Sequence, residues 1–574
     1  MNRLFPVFDS YIKPHSLFIA MSVVLPAVLG LNNSAVAADR IYASYSALER
    51  SISVAALEAY AKQGIINDDL AVYAQYVPPE QLKQLQQVLL RRIDLSPVAV
   101  SQFLYTTQGE ALLDRLGLVI KTEARQPGSI AIRAALILAA SDPEGLTLLN
   151  FLRKFPTSSV RIDLAQGLQI ARQLEALVNQ TNRANAAIIK LSAEVAAKQQ
   201  LEPTKLPNIQ PRGPLNWNKR TLTLYDSPRN RVFLADIYLP IVQGAVPVVV
   251  ISHGLGSDRT SFEYLAVHLA SHGFAVAVPN HPGSDAKQIE SLLAGRASQV
   301  SAPNEFIDRP LDVKYLLDQL EQFNQTDPGF QGRLNLQQVG VIGQSFGGYT
   351  ALALAGGTIN FEQLKKDCAP DALGETWNVS LFLQCRALEM SRTANILRDE
   401  RIKAAIAVNP ITSSIFGSTG ISPIQIPTMI VAGSDDTVAP SYPEQILAFT
   451  RLTSPRKYLL LMRAGTHFSV IGDAANSAEP VPVPPAVIGP DPELARNYLG
   501  LVSLAFFKNY ITGRPDYLYY LTSKYLQSIT QGQIGLSMVD SLSPTELEQL
   551  LNGSTPEPAP APAPEVAPQP SPTP

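Results

Sequence analysis

The chain has 574 residues and a formal net charge of −3, with 46% hydrophobic and 17% charged residues. At about 100–200 residues per domain, that length suggests two or three folded units with ample apolar material for their cores. The small net charge, without blocks of like sign, argues against nucleic acid or an anionic membrane as an electrostatic partner. The first element is a targeting segment. Arg3 and Lys13 precede an apolar run from Leu17 to Leu31, broken by Pro26 and Gly30, and the small residues Ala35-Val36-Ala37-Ala38 follow. Basic, apolar, small is the order of a signal peptide, so residues 1–38 read as one, cleaved near Ala37 or Ala38. That places the protein in the periplasm or outside the cell. The alternative is an uncleaved N-terminal membrane anchor, against which the run is short of the ~20 residues a spanning helix needs.

Residues 39–200 read as an all-α domain of unknown role. Leu82, Leu85, Val88 and Leu89 recur at steps of three and four behind Pro78-Pro79, which suits a helix start. Further helices are expected over Ile130–Ala140, Arg161–Leu177 and Ala184–Lys198. Residues 201–214, rich in proline and polar side chains, read as a linker. In residues 215–553 the pattern changes. Arg220–Tyr225 and Arg231–Tyr238 are strand-like around a turn, and the apolar runs Val248–Ser252, Ala275–Pro279, Val339–Gly343, Ala404–Val408, Thr428–Ala432 and Tyr458–Met462 alternate with helical stretches. Such runs suit strands buried on both faces of a mostly parallel sheet, giving an α/β architecture. After residue 553 the Pro/Ala-rich tail, 554–574, cannot bury enough apolar surface to fold and reads as a disordered spacer.

The chemistry concentrates in four places. Gly343-Gln344-Ser345-Phe346-Gly347-Gly348 follows a strand and opens a helical run, the context of a nucleophile elbow with Ser345 exposed on a sharp turn. Ser252-His253-Gly254-Leu255-Gly256 follows an earlier strand and suits a loop whose Leu255 amide joins that of Phe346 as an oxyanion hole. His253 precedes the serine and is read as shaping that loop. In Gly433-Ser434-Asp435-Asp436, Asp436 is the favoured acid and Asp435 the alternative. Of six histidines, His467 alone lies beyond the acid, as the order Ser…Asp…His requires. His281 is a candidate supporting residue, and His268 and His272 are read as packing or surface residues. The two cysteines, Cys368 and Cys385, suit a disulfide in an oxidising compartment. They lie in a long segment, 358–401, read as a lid over an acyl pocket or else a surface excursion. No Cys/His spacing suggests a metal, and no cofactor is implied.

With Ile251-Ser252-His253-Gly254-Leu255-Gly256, Leu269-Ala270-Ser271-His272-Gly273-Phe274 and the elbow in view, the region from Leu215 to Tyr510 resembles the secreted platelet-activating factor acetylhydrolase family and its chlorophyllase and polyester-hydrolase relatives. The resemblance implies the α/β-hydrolase fold, a triad of Ser345, Asp436 and His467, and oxyanion amides at Leu255 and Phe346. One departure is Gln344, where many members carry histidine. The N-terminal region resembles an uncharacterised domain found ahead of such hydrolases in cyanobacterial proteins. The expected activity is hydrolysis of carboxylic esters, of a lipid or another apolar acyl group, with a small-molecule or lipid ester as substrate. A serine peptidase and a non-catalytic envelope scaffold are the alternatives. Peripheral membrane contact stays open.

Overall fold

The structure, a computed structural model, describes residues 37–93, 95–200, 207–390, 396–472 and 485–553. Of the expected export segment, 1–38, residues 1–36 lie outside them, as does the tail from 554. Among the described residues no helix is long and apolar enough to cross a membrane.

The N-terminal unit is not all-α. Four short strands, β1 (Arg40–Tyr45), β2 (Leu48–Ser53), β3 (Ile120–Lys121) and β4 (Ser159–Asp163), form one mixed sheet in the order β2-β1-β4-β3. The helices pack on it around Leu113, Ile132, Leu136, Leu149, Phe151 and Phe155. The strands escape a reading based on local periodicity for a physical reason. β1 is only half buried along its length, and its partner β4, paired as Ile41 with Val160, arrives more than a hundred residues later. Arg161–Asp163, expected to open a helix, belong to β4. Asp163 then caps the next helix by accepting the Gln166 amide. The two helices expected over Arg161–Leu177 and Ala184–Lys198 are one helix, Leu164–Lys198. The helix expected over Ile130–Ala140 spans Ser129–Ser141.

The second unit is built on nine strands: β5 (Trp217–Asp226), β6 (Arg231–Pro240), β7 (Val246–Ser252), β8 (Ala275–Pro279), β9 (Leu334–Gln344), β10 (Ile402–Val408), β11 (Thr428–Gly433), β12 (Lys457–Arg463) and β13 (Gly535–Val539). They lie in the order β13-β12-β11-β10-β9-β7-β8-β6-β5. Pairing is parallel from β12 through β8 and antiparallel at both margins. The central strands are continuous apolar runs because helices cover both faces. One face packs under Phe306, Leu316, Tyr349 and Phe449, the other under Leu269, Leu499, Phe506 and Phe507.

The two units are joined by more than a connecting segment. Ala184 and Ile188 of the long helix sit in the same apolar cluster as the sheet. Ser192 Oγ of that helix accepts the amide of Met538 on the margin strand β13, at 2.9 Å. The described part of the expected linker is also docked. Ile209 is buried against the sheet's second face, and the Gly213 amide donates to Ser271 Oγ.

Candidate functional site

β9 ends at Gln344 and a helix starts at Phe346, leaving Ser345 to make the turn with φ 57° and ψ −115°. A non-glycine residue held there stores strain, which buried surroundings must enforce. They do so through close backbone approaches. A Cβ at Gly343 would strike the carbonyl of Gly347, and one at Gly347 would strike that of Ser252. The serine amide is held by the carbonyl of Val408 on β10 at 2.8 Å.

Ser345 Oγ lies 2.9 Å from Nε2 of His467, whose Nδ1 lies 2.7 Å from Oδ2 of Asp436. All three residues are buried, Ser345 retaining 7% exposure. The other carboxylate oxygen of Asp436 accepts the amides of Val438 and Ala439, at 2.9 and 2.7 Å, so its plane is fixed by its own loop. Asp435 is exposed and receives the hydroxyl of Ser434, which separates the two aspartates cleanly. Each of the three side chains follows a parallel strand, β9, β11 or β12, so the sheet brings together residues up to 122 positions apart.

The Phe346 amide, at the first position of its helix, has no intrahelical acceptor. Neither it nor the Leu255 amide donates to a protein acceptor among the described residues. The loop carrying Leu255 is shaped by His253. The backbone amide of His281 donates to Nε2 of His253 at 3.1 Å, so the ring proton is on Nδ1, which donates to the Gly254 carbonyl. Arg309, fully buried, donates to the carbonyl of His253 and to Ser284 Oγ, and stacks 4.6 Å above the ring of Phe346. One guanidinium thus touches both stretches that carry the expected oxyanion amides. Burial pulls its pKa down to about 10.

Beneath this loop lies a wholly buried polar group. His281 faces Ser252 Oγ through Nε2 at 2.9 Å and Asp312 through Nδ1 at 3.1 Å. Asp312 also accepts from Arg229 and Arg231. Burial, followed by the charges of Arg309, Arg231 and Arg229, holds the His281 pKa well below its ordinary value. Burial likewise pushes that of Glu305 up to about 7.

Two further residues brace the loops of the site, and their contacts do not follow from the motifs. Gln344 donates to the carbonyl of His467 at 3.0 Å. Asn409, at φ 43°, accepts the amide of Gly433 and donates to the carbonyl of Thr466, bridging the acid and histidine loops. The only local sign of the latter was an Asn-Pro pair closing a buried strand. The described residues of segment 358–401 are tied to their surroundings at several points. Cys368 and Cys385 form a disulfide. Buried Glu444 accepts from Ser380, Gln384 and the amide of Ser413 at 2.8–2.9 Å, and from Asn378. The Ser380 amide reaches the carbonyl of Val438 beside the acid. Arg115 of the N-terminal unit donates to the carbonyl of Thr376 and sits 5.0 and 5.1 Å from the rings of Trp377 and Phe382. These contacts hold the described part of the segment against the acid loop and the N-terminal unit.

Residues 247–357, which include the loop of Leu255 and the elbow of Ser345, match a family described as alpha/beta hydrolase fold. The sheet unit has the α/β-hydrolase fold. Residues 37–163 of the hydrolase match a second family, described as an alpha/beta hydrolase of unknown function (DUF1400), and cover the N-terminal unit up to the start of the long helix. Among the described residues of the hydrolase no cluster of His, Cys, Asp or Glu could hold a metal ion.

Proposed function

We propose that this hydrolase is a serine esterase that cleaves carboxylic esters of apolar acyl groups through an acyl-enzyme on Ser345. The observation that carries the reading is the continuous hydrogen-bonded chain Ser345–His467–Asp436 ending on a serine at positive φ. In the mechanism that follows, Nε2 of His467 takes the hydroxyl proton as Oγ attacks the ester carbonyl carbon. The carbonyl oxygen becomes an oxyanion facing the amides of Leu255 and Phe346, whose dipoles are already oriented when charge develops. His467 then returns the proton to the leaving alkoxide. Water repeats the sequence on the acyl-enzyme, releasing the acid and restoring Ser345. Asp436 keeps the imidazole in the tautomer with Nδ1 protonated and offsets the imidazolium charge. Export to an oxidising compartment is part of the proposal, supported by the Cys368–Cys385 disulfide.

The test is hydrolysis of p-nitrophenyl esters from acetyl to palmitoyl by the chain starting at Ala38. Turnover that vanishes in Ser345→Ala supports the esterase, and the preferred chain length sizes its acyl pocket. Folded protein without turnover across the series sinks the reading in favour of a peptidase or a scaffold.

A further inference from the structure

Resting on the esterase reading, we propose that Asn185, on the long helix shared with the N-terminal unit, is a positioning residue for the acid loop of the site. Asn185 is buried and uses both ends of its amide on that loop. Its Nδ2 donates to the carbonyl of Ser434 at 3.2 Å, and its Oδ1 accepts the hydroxyl of Ser441 at 2.8 Å. The amide orientation is forced, because a backbone carbonyl can only accept. The two contacts bracket Asp436: one falls just after β11, the other where the next helical segment begins.

The bracketed loop is itself stitched to the histidine loop. The Ala464 amide donates to Ser434 Oγ at 2.8 Å, and the Asp435 amide donates to the Gly465 carbonyl at 2.9 Å. A Cβ at Gly433 would stand 2.5 Å from that same carbonyl, so the loops are too close to move apart independently. Asn185 therefore holds an acid–histidine pair that the rest of the sheet presents only at strand ends. It does so from a helix that is capped by Asp163 of the other unit and is seated on the sheet by Ala184, Ile188 and Ser192. This gives the N-terminal unit a part in the chemistry: it is continuous with the clamp that fixes the angle between Asp436 and His467.

The experiment compares Asn185→Ala, Ser441→Ala and the double variant in the full chain, with Ser192→Ala as control on the same helix. Competent sites are counted by titration with a p-nitrophenyl phosphonate, so that unfolded protein drops out of the rate. Each single variant should lose about tenfold in kcat per titrated site, with KM changed by less than about twofold, since small misplacements near a reacting group cost rate more than binding. The double variant should lose no more than the worse single variant, because both changes break one clamp. Ser192→Ala should lower Tm and leave kcat per site alone. Wild-type kcat per titrated site in Asn185→Ala, with or without a lower Tm, overturns the proposal, as does full additivity of the two changes. Failure of the esterase reading itself would show separately, as absent phosphonate labelling of Ser345 in the unsubstituted protein.

Discussion

Two serine–histidine–aspartate chains run through this molecule. One joins Ser345, His467 and Asp436. The other joins Ser252, His281 and Asp312, with the same two hydrogen bonds at similar lengths. Ser345 turns at positive φ between strand and helix, whereas Ser252 is an ordinary strand residue, without exposure. Asp436 spends its second oxygen on two neutral amides, leaving its charge to the imidazole. Asp312 is shared with two arginines. Around His281 three guanidinium groups oppose the imidazolium that a general base must become. Residue types and distances do not make a nucleophile. What sets Ser345, the proposed nucleophile, apart from Ser252 is access, a strained turn and nearby free amides.

The comparison can be broken most sharply at the two serines. Ser345→Ala should lower kcat by about 10⁵–10⁶, the scale on which such a nucleophile is lost. Turnover persisting above that level would transfer the chemistry elsewhere. Next is the acid: Asp436→Asn should cost about 10⁴ in kcat, because the wrong imidazole tautomer is then favoured, while exposed Asp435→Asn should stay near wild type. Equal effects at the two would undo the assignment. For the buried chain the readout is stability. Arg309→Met should cost about 3–5 kcal/mol in urea denaturation, as expected when one member of a buried charged group is removed. Ser252→Ala should cost about 1–3 kcal/mol for the lost buried hydrogen bond, with kcat within about threefold of wild type.

The smallest effect concerns acid. His253 and His281 are kept neutral in the fold, their pKa values held well below the ordinary 6.5, and that of His268 falls to about 4. The unfolded chain therefore binds more protons below pH 6.5. The stability these groups permit is complete above that pH and lost as pH falls through it. Glu305 acts in the opposite sense, losing its contribution as pH rises towards its folded value of about 7. His281→Gln should reduce the acid slope of stability by one proton, about 1.4 kcal/mol per pH unit. Identical slopes in urea midpoints between pH 5 and 6.5 would mean that His281 accepts a proton in the fold.

Much of the site was legible because it follows strand ends with local signatures. The elbow glycines, the Asp-Asp pair and a single late histidine are short motifs at fixed points of an alternating pattern. What was not legible is long-range. β1 pairs with β4 across most of the N-terminal unit, and β13 is a five-residue strand that the alternation does not announce. Gln344 and Asn409 act through backbone carbonyls of other loops, contacts for which no residue pattern exists. Arg309 and Asp312, on one helix, look from sequence like solvated charges, yet both are fully buried.

The long helix has a consequence for anyone dividing this chain. β13 is the last strand of its sheet, and the outward amide of Met538 is occupied by Ser192 of that helix. Cutting at the proline-rich stretch around 201–214 would look natural from composition. It would strip the cover from an apolar margin strand and leave the Met538 amide without its acceptor, opening that margin to edge-to-edge association. A soluble fragment of the sheet unit must begin before Leu164, carrying with it a helix that composition assigns to its neighbour.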